Sequence, residues 1–170
     1  MQVSRVGFSP QHYQAVIDTP FARVGLAASG EALTRIDFVP ADMALLAPAT
    51  PLLRETARQL HAYSQDADFR FDLPYQLNGS EHQCKVWLRI AQIPPGKVIR
   101  YADIAHDIGS VPRAIGGACG ANPLPVLIPC HRVVSAQGLG GFNANRNGMD
   151  WMPVKRWLLR HEGVLRDWFD

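Results

Sequence analysis

Residues 101–123, which read YADIAHDIGSVPRAIGGACGANP, carry the strongest fold signal in the chain. Apolar residues at helical spacing predict a first helix over about residues 101–108 that stops at Gly109. A second helix is predicted from about Arg113 to Asn122, because the proline that follows cannot continue a helix. Two short helices joined by a brief glycine-containing turn indicate a helix-turn-helix, although an ordinary helical hairpin has the same pattern.

The second of these helices is unusually poor in long side chains. Gly116, Gly117 and Gly120 each cost about 1 kcal/mol relative to alanine in a helix interior, so their presence needs a reason. Tight packing against another helix is one explanation, and close approach to a DNA duplex without readout of base edges is the other. Arg113 is the only long side chain on this helix, so it is the candidate for reaching into a groove or a base stack.

An amino-terminal sheet with one helix is predicted ahead of this motif. Strands over residues 22–28 and 33–39 flank a glycine-containing turn. A helix begins at Pro51, which suits a first helical turn, and its apolar residues keep helical spacing as far as Tyr63. The alternation of apolar residues over 69–73 predicts a further short strand.

A joint between two units is expected around residues 73–79. Just after it, Ser80 and Gln83 form a capping box that opens another helix, which ends near Pro94. The predicted fold is therefore α/β. A small amino-terminal sheet-plus-helix domain is expected over residues 1–75, and a mostly helical carboxy-terminal domain with the helix-turn-helix over residues 76–170.

The composition is that of an ordinary globular protein of 170 residues, with 47% hydrophobic and 19% charged residues. Its longest apolar runs fall far short of the roughly 18 residues that span a membrane, and its start lacks a signal-peptide core. The three widely spaced cysteines suit reduced thiols. A cytoplasmic protein that contacts no membrane is therefore expected.

Charge is distributed unevenly along the chain. Residues 1–75 carry six Lys and Arg against eight Asp and Glu, whereas residues 76–170 carry eleven against seven. The net charge of +2 is too small to indicate a nucleic-acid-binding protein by itself. If the protein has a polyanionic partner, this asymmetry predicts contact with the second half of the chain.

The segment PCHRVV, residues 129–134, places Cys130 directly before His131. A structural buried thiol is the commonest fate of a cysteine, and it is what we predict for Cys84 and Cys119. A metal site is disfavoured, because the chain has no Cys-x-x-Cys pair and adjacent Cys and His side chains rarely bind one ion together. A nucleophilic Cys130 is the remaining interpretation, and the residues alone leave it open against a structural thiol.

A nucleophilic Cys130 would need help to ionise. A free thiol has a pKa near 8.5, so only about 3% is thiolate at neutral pH, and a nearby base or positive charge is expected. His131 is adjacent, but consecutive side chains diverge, so the predicted link between the two is a bridging water. Neither Cys84 nor Cys119 has the close sequence spacing expected of a partner in disulfide exchange.

Four segments resemble the O6-alkylguanine-DNA alkyltransferases, also called methylated-DNA–protein-cysteine methyltransferases: IPPGKVIRYADIA, RAIGGACGANP, NPLPVLIPCHRVV and KRWLLRHEG. The similarity extends over about residues 16–164. It implies a ribonuclease-H-like amino-terminal domain and a monomer that binds double-stranded DNA containing O6-alkylguanine and flips the damaged base out. The implied activity is direct-reversal DNA repair, in which the alkyl group passes irreversibly to Cys130 in a single turnover, without cofactor or metal.

The same resemblance implies roles for individual residues. Cys130 is the alkyl acceptor, His131 acts as a base through a water, and Glu162 orients His131. Asn122 ties the recognition helix to the active-site strand. Tyr101 helps to rotate the nucleotide and donates a proton toward the guanine ring.

Contacts with DNA are implied on the same basis. Arg113 would fill the gap that the extruded base leaves in the stack. The other residues implied at the DNA-binding surface are Tyr101, Ala102, Ser110 and Gly117.

The chain departs from the family pattern in the loop after the active site. Phe142 stands near a position where tyrosine is common, and residues 143–147 replace glycines. A non-enzymatic DNA-lesion sensor on the same scaffold is the rival interpretation, but relatives of that type have lost the cysteine. A cysteine hydrolase acting on small molecules is a third interpretation, which predicts turnover and no need for DNA.

Overall fold

The computed structural model describes residues 12–141 and 149–165, and these have the predicted α/β architecture. A three-stranded antiparallel sheet and one helix come first, followed by helices and a short parallel strand pair. The elements are β1 (Ala15–Asp18), β2 (Arg23–Ser29), β3 (Ala32–Val39), α1 (Pro51–Gln65), α2 (Glu81–Ile90), β4 (Ile99–Arg100), α3 (Tyr101–Ile108), α4 (Pro112–Gly120), a 3₁₀ turn (Cys130–Arg132), β5 (Val133–Val134) and α5 (Met152–His161). Within the described ranges, none of the helices is long and apolar enough to span a bilayer.

The amino-terminal sheet has the strand order β1-β2-β3, and α1 packs against β2 and β3. Val24 pairs with Phe38 and Leu26 with Ile36, and all four side chains are buried. The strands predicted from the sequence are confirmed as β2 and β3, to within one residue at each end. The edge strand β1 is an addition that the sequence patterns do not predict.

The segment 69–73 forms no strand, so that prediction is wrong. Its alternate apolar side chains do pack against the core. However, the Asp72 N–H donates to the side-chain oxygen of Gln59 at 2.9 Å, and the Gln59 amide donates to the Asp72 carbonyl at 2.9 Å. The Gln59 side chain on α1 thus makes the backbone hydrogen bonds that a neighbouring strand would otherwise make. The alternation of apolar residues reflects packing against the core rather than pairing in a sheet.

The three helices predicted in the second half, α2, α3 and α4, begin and end close to where the sequence predicts. The capping box is present, since the Ser80 hydroxyl accepts the Gln83 N–H at 3.1 Å and the Gln83 side chain accepts the Ser80 N–H at 3.0 Å. α3 ends at Gly109, whose φ of 69° is a left-handed conformation that glycine adopts without steric cost. α4 follows after the three residues 109–111, which completes the helix-turn-helix arrangement.

The larger of two hydrophobic clusters among the described residues connects the sheet with the helices. Phe38 on β3 meets Trp151, at the start of α5, with ring centroids 4.7 Å apart. The Ile36 N–H donates to the Pro123 carbonyl at 2.9 Å, which ties the sheet to the segment leading to Cys130. The division of the chain into domains at residue 75 stays a prediction.

Candidate active site

Cys130 opens the 3₁₀ turn and is almost fully buried, with 2% of its surface exposed. Asn122, two residues after α4, donates from its side-chain amide to Cys130 Sγ at 3.1 Å and to the Ile128 carbonyl at 2.8 Å. The side-chain oxygen of Asn122 accepts the Leu124 N–H at 2.9 Å. This fully buried side chain therefore links the end of α4 to the thiol.

Glu162 joins the next two residues of the turn in a buried ion-pair network. Its Oε2 accepts a hydrogen bond from His131 Nε2 at 2.7 Å, and its Oε1 accepts one from Arg132 Nε at 2.6 Å. The side chains of His131 and Glu162 have no exposed surface. Arg132 also donates through Nη1 to the Ile93 carbonyl at 2.6 Å, which anchors the turn to the segment after α2. The fold thus brings Glu162 to His131 across 31 residues of sequence.

The network sets the protonation states of Glu162 and His131. Burial alone would raise the pKa of Glu162, but His131 and Arg132 outweigh it and hold that pKa below its usual value. Burial lowers the pKa of His131, and the cations Arg132 and Lys155 add to this, while Glu162 opposes it. A neutral His131 next to an ionised Glu162 donates its Nε2–H, which leaves the lone pair on Nδ1. The imidazole can therefore accept a proton at Nδ1.

The resting site favours the protonated form of the Cys130 thiol. Burial raises the pKa of Cys130, and the Cys119 thiol, within hydrogen-bonding reach, raises it further. The Asn122 amide and the positive charge of Lys155 act in the opposite direction without cancelling these effects. The positive neighbour expected from the sequence is present, but ionisation of Cys130 still requires a base.

The other two cysteines differ in their surroundings. Cys119 is buried, as predicted, and the fold brings it beside Cys130 despite their separation in sequence. Cys84 on α2 is only half-buried, so the prediction of a buried thiol is wrong there. The reason is that its side chain lies at the edge of the apolar face of α2, next to the Gly79 carbonyl, rather than on that face.

Lys155 is a functional candidate that the sequence patterns do not single out. It has no exposed surface, and its Nζ donates to the carbonyls of Val133 at 2.8 Å, Leu139 at 2.6 Å and Gly141 at 2.8 Å. Burial lowers the pKa of Lys155 to about 8. Its ammonium group joins β5 to the following loop and supplies positive charge near Cys130. The sequence signal that could have identified Lys155 is the presence of a lysine on the apolar face of α5.

Tyr101 begins α3 and faces the same loop. Its hydroxyl donates to the Gly141 carbonyl at 3.3 Å, and burial raises its pKa, so the phenol keeps its proton. At Gly140, where φ is 72°, an added Cβ would lie 2.8 Å from the Tyr101 ring. Glycine therefore allows the loop to pass this closely. Phe142 and residues 143–147, where the chain departs from the family pattern, lie outside the described residues.

The residues implied in DNA contact lie on the outer surfaces of α3, α4 and the turn between them. Ala102, Arg113 and Gly117 are exposed. Ser110 is half-buried in the turn, and its hydroxyl lies 2.8 Å from His82 Nε2 on α2. These four residues are therefore exposed or half-buried at the surface of the helix-turn-helix, while their roles stay predictions.

Two glycines of α4 are not explained by packing within the protein. A Cβ added at Gly116 or Gly117 would meet no atom within 4 Å, and both residues are exposed. On the opposite side, the indole N–H of Trp87 donates to the Ala118 carbonyl at 2.8 Å and anchors α4 to α2. The first explanation offered by the sequence, tight packing against another helix, is therefore wrong for Gly116 and Gly117.

Comparisons with known proteins cover both parts of this chain. Residues 81–164 match the family model of the 6-O-methylguanine DNA methyltransferase DNA-binding domain. The methylated-DNA–protein-cysteine methyltransferase of Methanosarcina acetivorans is 33% identical over 159 residues, which cover 89% of this chain and 98% of that relative. The chain belongs to the O6-methylguanine DNA methyltransferase family.

Two further comparisons support the family. The methylated-DNA–protein-cysteine methyltransferase of Archaeoglobus fulgidus is 42% identical over 111 residues, covering 65% of this chain and 76% of the relative. The crystal structure of Mycobacterium tuberculosis OGT in complex with DNA superposes with a TM-score of 0.71 at 32% identity, covering 88% of this chain and 92% of that one. The likeness includes the amino-terminal sheet, so the predicted fold class is confirmed.

Proposed function

We propose that this protein repairs O6-alkylguanine in double-stranded DNA by moving the alkyl group to its own Cys130. The observation that carries the proposal is the buried Cys130, directly followed in the chain by His131, one ring nitrogen of which is held by Glu162 at 2.7 Å, in a member of this family. A purely structural cysteine would not need the neighbouring base and carboxylate. We further propose that the protein acts in the cytoplasm, where its thiols would remain reduced.

Proton transfer from the thiol is the first step of the proposed reaction. His131 is neutral and has its lone pair on Nδ1, so it can take the Cys130 proton through a bridging water. The resulting imidazolium is stabilised by the ionised Glu162, and the thiolate by the Asn122 amide and the Lys155 ammonium. Because burial raises the thiol pKa, thiolate forms mainly when its proton has this acceptor.

Alkyl transfer then makes one bond and breaks one bond. The Cys130 sulfur attacks the alkyl carbon, a carbon–sulfur bond forms, and the bond between that carbon and guanine O6 breaks with its electron pair leaving on the base. Tyr101, which keeps its proton because burial raises its pKa, donates a hydrogen bond toward the departing guanine. The guanine anion takes up one proton through the Tyr101 hydroxyl, which balances the proton that His131 received from the thiol. The products are therefore an unmodified guanine and a thioether on Cys130, and this thioether ends the activity of that molecule.

The target atom lies inside a duplex, so the damaged nucleotide must be turned out of the stack before the reaction. We propose that the exposed, glycine-rich side of α4 lies close to the DNA and that Arg113 occupies the gap left by the base. Lesions arise in any sequence context, and contacts to shape and phosphates serve this task better than readout of base edges. The excess of basic residues in the second half of the chain supports this orientation.

Intact-mass measurement tests the proposal. After incubation with duplex DNA containing O6-methylguanine, each chain should gain the mass of one methylene group on the peptide that holds Cys130, and the DNA should regain guanine. Cys130→Ser should bind the DNA and gain no mass. Many lesions repaired per molecule, no mass change, or modification at Cys84 or Cys119 would each overturn the proposal.

A further inference from the structure

Tyr63 connects the amino-terminal part of the protein to the carboxylate of the candidate active site. It lies on α1, is 1% exposed, and donates its hydroxyl hydrogen to Glu162 Oε2 at 3.3 Å. The same oxygen accepts the His131 Nε2–H at 2.7 Å. A residue 99 positions away in sequence therefore shares the atom that holds His131.

The position of Tyr63 is fixed by contacts on several sides. His161, the last residue of α5, donates from Nε2 to the Tyr63 carbonyl at 2.6 Å, and its ring meets the Tyr63 ring edge-on at 5.1 Å. Phe21 and Phe71 contact the Tyr63 ring with centroid distances of 6.4 Å and 5.6 Å. The hydroxyl is thus held at Glu162 by a rigid aromatic cluster rather than by a mobile side chain.

Glu162 receives hydrogen bonds from three side chains, and each has a different consequence. Arg132 binds Oε1 at 2.6 Å and balances the charge, while His131 and Tyr63 both bind Oε2. Tyr63 keeps its proton because burial raises its pKa. The terminal side-chain torsion of a glutamate takes a broad range of angles. A third hydrogen-bond donor therefore restricts the carboxylate rotation that would remain with only two donors.

We propose that Tyr63 is a positioning residue for alkyl transfer, which holds the Glu162 carboxylate in the orientation that receives the His131 N–H. This inference rests on the proposed function for its effect on the reaction rate. The sheet-plus-helix part of the chain then contributes directly to the proton transfer that activates Cys130.

Removal of the hydroxyl should change both the rate and its pH dependence. In Tyr63→Phe, Glu162 Oε2 loses the hydrogen bond from the tyrosine hydroxyl. The carboxylate charge, no longer partly neutralised by that donor, stabilises the imidazolium form of His131 more strongly. The pKa of His131 should rise, and the acidic limb of the pH–rate profile should move to higher pH. The looser carboxylate should also lower the plateau rate by about three- to tenfold, as expected for a weak hydrogen bond to a charged group.

Tyr13→Phe is the matched control. The Tyr13 hydroxyl also donates to a buried carboxylate, Asp37 Oδ2 at 2.7 Å, in the same part of the chain but at the far side of the sheet. Both variants lose one hydroxyl and keep the aromatic ring. Loss of stability alone would therefore affect them similarly, whereas loss of positioning would affect only Tyr63→Phe.

The experiment measures three quantities for the wild type and both variants: thermal unfolding, transfer rate from free O6-methylguanine between pH 5 and 9, and the His131 titration by NMR. Tyr63→Phe should show the slower plateau and the raised His131 pKa, and Tyr13→Phe should show neither. In a Glu162→Gln background, Tyr63→Phe should have no further effect on the rate. Identical rates, profiles and titrations for the two phenylalanine variants would overturn the inference.

The NMR titration separates this inference from the proposed function. If the wild type transfers no alkyl group, the proposed function fails, but the His131 titration still reports whether Tyr63 acts on the Glu162–His131 pair. An unchanged His131 titration in Tyr63→Phe, with normal transfer by the wild type, would refute the role of Tyr63 alone.

Discussion

Replacing both Gly116 and Gly117 by alanine should make the protein more stable and at the same time a poorer repairer of duplex DNA. Both residues lie inside α4, are exposed, and lack a positive φ. A Cβ at either position has open space around it. Nothing in the folded protein therefore opposes the substitution.

The gain in stability follows from helix propensity. Alanine is favoured over glycine in a helix interior by about 0.8–1.0 kcal/mol, so the double variant should gain up to about 2 kcal/mol in the free energy of unfolding. For a protein of this size each kcal/mol raises Tm by roughly 2–4 °C, so Tm should rise by roughly 4–8 °C. Gly109→Ala is the contrasting control, since its site is equally open but its φ of 69° should make alanine destabilising.

The loss in repair follows from where the methyl groups point. They stand on the surface proposed to lie against the duplex, so they should separate the helix from the DNA and slow transfer from a duplex by about tenfold or more, equivalent to ~1.4 kcal/mol. Reaction with the free alkylated base does not use this surface and should keep its rate. A double variant that melts higher and still repairs duplex DNA at the wild-type rate would refute the close approach of α4.

Three further substitutions test other parts of the site. Arg113→Ala should slow transfer from duplex DNA more than transfer from the free base, because a vacated stack exists only in the duplex; equal losses would assign Arg113 to folding or to the pocket. Glu162→Gln should slow transfer and raise the apparent pKa for thiolate formation at Cys130, because His131 becomes a weaker base; an unchanged pH–rate profile in the folded variant would contradict this. Lys155→Met should destabilise the protein by an amount that grows, by at most about 3 kcal/mol, between pH 8 and 10.5. The folded wild type loses the Lys155 proton near pH 8, before the unfolded chain does, so its stability rises over this range. Unfolding would be measured in a Cys130→Ser background, and a cost that does not vary with pH would refute the buried ammonium.

The parts of the fold that depend on neighbouring residues were predictable from the sequence. The capping box, the left-handed end of α3 and the β2–β3 hairpin each arise from residues a few positions apart. The segment 69–73 shows the limit of such patterns, because the Gln59 side chain on α1 takes the place of a strand partner. Alternation of apolar residues indicates which side chains are buried, but it does not indicate which groups accept or donate the backbone hydrogen bonds.

The candidate site was predictable in a different way. The resemblance to a family named Cys130, His131 and Glu162, and the structure joins His131 to Glu162 by a hydrogen bond and Cys130 to Asn122. The positions of Lys155 and Tyr63 could not be read from local patterns, because their partners lie 14 to 22 and 99 residues away. Only the folded chain shows that Lys155 lies near Cys130 and that Tyr63 bonds to Glu162.

Because Cys119 lies near Cys130, oxidation could reduce the number of active molecules without changing the rate at which the remaining ones react. A methyl group on Cys130 is held by a carbon–sulfur bond that thiols do not cleave, whereas a disulfide between the two cysteines would be opened by a reductant. Either state would withhold the acceptor and lower the final number of groups transferred, while the remaining molecules would react at their normal rate. Counting transferred groups before and after treatment with dithiothreitol therefore distinguishes molecules lost to oxidation from molecules already used.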